Sequence, residues 1–341
     1  MLADQVLSAP PQPDCGLMGY PVTAMVPVLE RLRRAQKFTL DPAFAAAADA
    51  LSTEYGSLAK AFPFCRLPFP VTWFEVAQSH RPQFAAAKIH APLFQSRPLR
   101  IGFLCIATRA DLSAWRAHLF WNLEEHGCNA ASMAIGFDMN RTPEGAAAVE
   151  WRAGGAQPLS RSEYFPNATT IHPGWANASA ETREALLQHT FPEQPDYGWP
   201  IMPDELWTAD AGMRGQIFSL LGDLARSDWA GEISFLLAVI GLLNSRNFVI
   251  RERVDRSKMN KARRRAGKPP MLDHYQLKIH PRQLARANAG APGGGEGHGP
   301  LRMHVCRGHW KVRASGIYFW RAHWRGDRGR GEIAKSYTIT T

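Results

Sequence analysis

The sequence predicts an α+β protein, a mostly antiparallel sheet packed with helices and ending in a basic β-hairpin region. Three observations carry that reading. Short extended runs, including Pro70 to Ala77 and Arg100 to Ala107, are separated by loops, which favours hairpins over parallel crossovers. Other segments repeat their apolar residues with a helical period. Near the end, Met303 to Val312 and Ile317 to Gly326 flank the turn Ala314-Ser315-Gly316, and a Ser-Gly turn between alternating runs is a hairpin signal.

Taken in order, Pro21 to Lys37 reads as a helix. Asp41-Pro42 supplies an N-cap and a Pro at the first helical position, and Phe44, Ala48, Leu51, Tyr55 and Leu58 then form one stripe. Pro63, Pro68 and Pro70 end that region, and Pro70 to Ala77 reads as a strand. Arg100 to Ala107 and Ala114 to Asn122 follow as strands, and Ala131 to Asp138 as a strand or a helix. Ala180 to His189 is a helix capped by Ser179. Pro203 to Leu243 holds two more. The first carries Ile217, Leu220, Leu221 and Leu224 on one face; the second, Ile233 to Leu243, is apolar on nearly every side and should be buried. From Arg251 a short basic helix runs into a loop, Leu272 to Ile279 is a strand, and Ala285 to Pro300 is a linker by its Gly, Ala and Pro content. Ile333 to Thr340 adds a last strand. The organisation expected is a helical segment 1–62, an α+β body 63–250 around a buried helical hairpin, and a basic region 251–341.

The charge is unevenly placed. Of 40 Lys and Arg, residues 251–341 hold 21 against 6 Asp and Glu, a net of +15, and the rest of the chain is net negative. Clustered cations gain entropy by displacing counterions from phosphate, so the asymmetry points to RNA, the ribosome or another acidic partner. The 5 cysteines are widely spaced with no CxxC pair, which indicates neither a disulfide framework nor a zinc ribbon. The start lacks the pattern of a signal peptide and no apolar run is of membrane-spanning length, so a cytoplasmic protein of a bacterial host, with no membrane partner, is expected.

Period-two alternation puts Val305, Arg307, His309 and Lys311 on one face of the first run and Phe319, Arg321 and His323 on one face of the second. Cys306 and Trp310, then Tyr318, Trp320 and Trp324, take the other faces. The expected result is a cationic side opposite an aromatic wall. The aromatics could stack bases, though their phase favours a core role. Candidate contacts with nucleic acid or a partner are Arg263, Arg264, Arg265 and Lys268 after the basic helix, and Arg307, His309, Trp310, Lys311, Arg321, His323 and Arg325 in the hairpin.

Signatures of the common catalytic classes are missing: there is no HExxH, GxSxG, Walker A loop or GxGxxG after a strand. No cofactor is expected. His304, Cys306, His309 and His323 could approach one another, but alternation sets His304 and Cys306 against His309 and His323, so no metal is expected either. Glu124, Glu125, His126 and Cys128 read as a solvated turn. His309, between Arg307 and Lys311, is the best candidate for general acid or base work on an RNA 2′-hydroxyl, which leaves a metal-independent endoribonuclease as one alternative. A DNA-binding phage accessory protein is another.

Ser257 to Pro270, His304-Val-Cys-Arg-Gly-His-Trp310 and Tyr318-Phe-Trp-Arg-Ala-His-Trp-Arg-Gly-Asp327 resemble the C-terminal signature of a group of phage, prophage and plasmid proteins. Over residues 250–341 the chain is similar to the anti-CRISPR family that acts against the type V-A effector nuclease. The resemblance implies a mobile-element protein that recognises the effector's nascent chain and causes loss of its mRNA, with Arg307, Gly308, His309 and Trp310 as the matching motif.

Overall fold

The computed structural model describes residues 1–8, 22–82, 98–123, 127–141, 179–193, 196–197, 228–229, 231–281, 302–306, 308–320, 323–325 and 327–332. Helix α1 (Leu2–Ser8) and helix α2 (Val26–Arg34) precede strand β1 (Gln36–Leu40). The helix expected to reach Lys37 therefore stops three residues earlier. Lys37 turns back from β1 and its Nζ donates to the carbonyls of Arg33 and Ala35 at 2.9 Å each, closing the end of α2. Burial pushes the Lys37 ammonium down to about 8.

Helix α3 (Pro42–Ser52) starts where Asp41 and Pro42 predict: Asp41 Oδ1 accepts from the Phe44 N–H at 2.7 Å. A break at Thr53 and Glu54 separates it from α4 (Tyr55–Ala61), so the expected single stripe is carried by two helices. Then come β2 (Val71–Ala77), β3 (Pro98–Ala107), β4 (Ala114–Leu123), β5 (Gly127–Ala130) and β6 (Ala134–Asp138). Cys128 lies in β5 and is buried, where a solvated turn was expected; residues 124–126 lie outside those described. Helix α5 (Ala180–His189) leads into β7 (Thr190–Glu193). The helix α6 (Glu232–Leu243) is buried at every position, as its all-round apolarity requires. The partner helix expected around Ile217 to Leu224, the linker 285–300 and the last strand 333–340 lie outside the described residues.

Arg251 to Val254 is not helical. It belongs to β8 (Val249–Val254), followed by α7 (Ser257–Arg265) and β9 (His274–Ile279). The tail holds β10 (Arg302–Cys306), β11 (His309–Arg313), β12 (Gly316–Trp320), β13 (His323–Arg325) and β14 (Asp327–Glu332).

The fold is α+β. Its main sheet has the order β7-β6-β4-β3-β2-β1-β9-β8, with β5 also on β4. Only β1 pairs in parallel, with β2 and β9; the other ladders of this sheet are antiparallel. The sheet takes β1 from the segment 1–62 and β9 from the region 251–341, so the three expected segments share one sheet.

Alternation sends the two faces to different layers. Phe74, Val76, Phe103, Cys105, Trp115 and Leu119 join α3, α4 and α6 in one core. Trp73, Leu104 and Phe120 join α1 and α2 in another. On that second face Glu75, fully buried, accepts from the Leu2 N–H at 2.8 Å, the Ala3 N–H at 3.3 Å, Trp73 Nε1 at 3.2 Å and Arg100 Nε at 2.9 Å. One carboxylate thus ties α1 to the sheet. At the start of α6 a buried Arg81 bridges Glu232 at 2.7 Å and Asp49 at 3.5 Å and lies 3.9 Å from the Phe235 ring centre. Breaking such a pair leaves an uncompensated charge, so it fixes where α3 meets α6.

The indole of Trp73 crosses β3 at Gly102, where a Cβ would stand 2.1 Å from a ring carbon. Gly102→Ala is expected to lower stability by about 1–3 kcal/mol through overpacking. Urea unfolding measures it, and an unchanged midpoint would contradict the packing described.

Candidate nucleic-acid interface

The hairpin is built from β11 and β12 with a two-residue turn at Ala314 and Ser315. Gly316 takes φ +123°, a left-handed value that L side chains resist, and a Cβ there would meet Arg246 Nε at 3.1 Å. The register pairs His309 with Trp320, Trp310 with Phe319, Lys311 with Tyr318 and Val312 with Ile317. Beyond residues 307 and 321–322 the same register continues, with Cys306 opposite His323, Val305 opposite Trp324 and His304 opposite Arg325.

Directly opposite residues share a face. One face of the hairpin therefore carries His309, Lys311, Arg313, Tyr318 and Trp320, and the other carries Trp310, Ile317 and Phe319. This corrects the expected division into a cationic side and an aromatic wall. Phe319 leaves the cations for the core, and Tyr318 and Trp320 join them on the outer face. The register also sets Cys306 against His323 rather than on the opposite face. Among the described residues no three His, Cys, Asp or Glu side chains gather as a metal site.

Trp310 is 2% exposed and is an anchor rather than a contact. Its indole packs against Gly241 of α6, its Nε1 donates to Ser245 Oγ at 3.1 Å, and its ring meets Phe319 edge-on at 5.4 Å. Phe319 in turn meets Phe248 at 4.8 Å, and the Asn247 side chain bonds both the N–H and the carbonyl of Phe319 at 3.1 and 3.0 Å. Arg246 N–H donates to the Ile317 carbonyl at 3.2 Å. The hairpin is thereby fixed to the loop after α6.

On the outer face the cations and rings are interleaved. Lys311 Nζ stands 4.5 Å from the Trp320 ring centre and the Arg313 guanidinium 5.6 Å from that of Tyr318. Trp320 remains 40% exposed, and Lys311 and Arg313 are exposed. His309 is half-buried. Cations beside exposed rings match the needs of a nucleic acid, which offers phosphates and base faces. Arg313, outside the expected set, belongs to this face; alternation alone placed it there, two residues after Lys311. Arg307 and Arg321 lie outside the described residues. His323 and Arg325 belong to β13 by their backbone.

The second cationic group is α7, which has no buried residue. Arg264, Arg265 and Lys268 are exposed, and Arg263 Nε is taken up by the Pro269 carbonyl at 2.8 Å. Asn260 fastens the following loop by exchanging two hydrogen bonds with the Met271 backbone at 2.9 and 2.7 Å. The hairpin is bonded to residues just before β8 and α7 follows just after it, so the six-residue strand sets them roughly 20 Å apart along the chain.

A polar cluster that the sequence did not reveal lies on the α1 and α2 side of the sheet. Asp196 is held by the guanidinium groups of Arg31 and Arg116 and by His118 Nε2 at 3.3 Å. Burial alone would raise the Asp196 carboxyl, but the His118 hydrogen bond and the two arginines hold it well below the usual carboxylate range. Burial pushes His118 down. Asp228, which acts electrostatically on Tyr197, accepts from Ser132 N–H and Oγ at 3.2 and 3.3 Å, and burial pushes its carboxyl up to about 7 against that bonding. The residues involved lie far apart along the chain, so no local motif marks them.

Comparison with known protein families, with curated proteins and with solved structures gives no match to this chain. No helix among the described residues is long and apolar enough to cross a membrane.

Trp310→Ala is expected to cost about 3–5 kcal/mol through the cavity left on α6, whereas Trp310→Phe loses mainly the bond to Ser245, about 1 kcal/mol. Urea unfolding of both variants measures the difference; equal, small losses would remove the anchor. Asp228 binds its proton more tightly folded than unfolded, so stability is greatest below about pH 4 as far as this group is concerned and falls as pH rises through about 7. Asp228→Asn should flatten that fall in a pH series of unfolding midpoints.

Proposed function

We propose that this protein is a mobile-element regulator of anti-CRISPR-like type that touches single-stranded RNA, free or on the ribosome, through the outer face of the β11–β12 hairpin, while its body recognises a protein or nascent peptide. The observation that carries the RNA contact is the alternation of Lys311 and Arg313 with the exposed ring of Trp320 and the half-buried ring of Tyr318 on one anchored surface. Phosphates meet the cations, and bases meet the rings. The basic end of α7 adds a separate, sequence-independent attraction.

The similarity of the tail to the type V-A anti-CRISPR family supports the regulatory part of the reading. Within the matching Arg-Gly-His-Trp stretch, Trp310 serves as the anchor, so that part of the motif marks how the hairpin is mounted. His309 is half-buried opposite Trp320 on the contact face. The surface is therefore read as a binding surface.

Fluorescence anisotropy with a labelled oligouridylate tests the reading. Affinity should fall with salt by about 0.7 log unit per log unit for each phosphate contacted, and Lys311→Ala with Arg313→Ala should reduce that slope. Trp320→Ala should weaken binding at every salt concentration by about 1–3 kcal/mol, the worth of one stacked base. A flat salt response, or full affinity in the Trp320 variant, would overturn the proposal. Equal affinity for duplex DNA would favour the DNA-binding accessory protein, and RNA cleavage abolished by His309→Ala would favour the endoribonuclease.

A further inference from the structure

We infer that the outer edge of β8, unpaired among the described residues, is a docking site for an extended acidic peptide, which pairs with the strand as an additional member of the main sheet. The inference deepens the target-recognition half of the function proposed above and is independent of the RNA contact.

β8 is the last strand in the order of the main sheet. Its antiparallel register with β9 sets Val249 opposite Ile279, Arg251 opposite Leu277 and Arg253 opposite Tyr275. The His280 N–H donates to the Phe248 carbonyl at 2.7 Å, so Phe248 and His280 form a hydrogen-bonded pair. In an antiparallel ladder such pairs alternate with pairs that exchange no bond. Ile250, Glu252 and Val254 therefore spend their backbone groups on β9, and Val249, Arg251 and Arg253 turn theirs outward. A second bond agrees: the Leu277 carbonyl, opposite Arg251, points away to the Asp41 N–H at 3.1 Å, beside β1. The outward N–H and carbonyl groups of Val249, Arg251 and Arg253 have no hydrogen-bond partner among the described residues.

This row of alternating donors and acceptors is what an added strand requires. The side chains select the occupant. Arg251 and Arg253 are exposed and share one face of the strand, two residues apart. Arg251 lies over Phe38 and Phe69, 5.8 and 6.0 Å from their ring centres, and is paired with no described carboxylate. Phe69 is itself 37% exposed. Arg253 has a solvent-exposed contact with Asp273 at 3.3 Å and a weak electrostatic interaction with the exposed Asp255. A second copy of β8 would bring like charges together and is disfavoured. A peptide with acidic side chains at alternate positions places one carboxylate beside each arginine, and its apolar carbons against Phe69. Glu252 points to the other face, where Lys278 already holds it at 2.6 Å, so it does not repel those carboxylates.

The test uses the full chain and a fluorescent peptide alternating Glu with Thr, with a Lys-for-Glu version as the control. Binding of the Glu peptide and protection of the Arg251 and Arg253 amides from hydrogen exchange are expected, with no binding of the Lys peptide. Arg253→Pro removes one outward N–H without touching the β9 ladder, and Arg251→Glu reverses the charge. Each should weaken the peptide at least about fivefold, the worth of one hydrogen bond or close charge contact. Oligouridylate affinity should stay unchanged in both, which also shows that they are folded. Failure of the Glu peptide to bind at millimolar concentration, equal binding of the two peptides, or wild-type binding by both variants would overturn the inference. So would protection of the same amides by oligouridylate in place of the peptide, and that result would leave the RNA contact standing.

Discussion

The mounting of Trp310 on α6 is the interaction on which the arrangement of the C-terminal surface depends. α6 is buried on all sides, so whatever packs on it shares the rigidity of the main core. The indole fits because position 241 is Gly, and its one polar atom finds Ser245 on the turn that follows the helix. Phe319 and Ile317 complete the contact, and Asn247 holds the backbone of β12. With one face committed to the core in this way, the other face has no freedom of choice. His309, Lys311, Arg313, Tyr318 and Trp320 must take the outer face.

Much of the chain announced itself locally. Asp41-Pro42 marks a helix start because an N-cap oxygen and a fixed proline φ act within one turn. Residues 233–243 mark a buried helix because no polar face interrupts them. Strand β2 lies between prolines and reads plainly. Signals failed where a residue's environment is supplied from far away. Lys37 looks like the polar end of a helix, yet sits in a strand because helix carbonyls satisfy its ammonium. β8 is rich in charge and reads as loop or helix, but an edge strand tolerates charge on its open side.

The candidate surface was legible in composition and misread in register. The sequence shows that cations and aromatics crowd residues 303–326, and it shows the turn. It does not show which residue of one strand opposes which of the other, and a shift by one position exchanges the faces. A two-residue turn before Gly316 sets Lys311 opposite Tyr318, which sends Phe319 inward and Trp320 outward. The result is a mixed surface where a separated one was expected. The cluster around Asp196 was invisible for a related reason, since Arg31, Arg116 and His118 meet it only through the tertiary fold.

The arrangement divides the basic region into parts of different character. The anchored hairpin offers rings and cations in fixed alternation, which suits stacking and phosphate contact together. The exposed helix α7 offers charge alone. Between them β8 presents backbone. The most direct measurement is ultraviolet crosslinking of the full chain to single-stranded RNA, with the modified residues mapped by mass spectrometry. The account predicts adducts concentrated at Tyr318 and Trp320, with Trp310 unmodified. Adducts at Trp310, or confined to residues outside the hairpin, would contradict it.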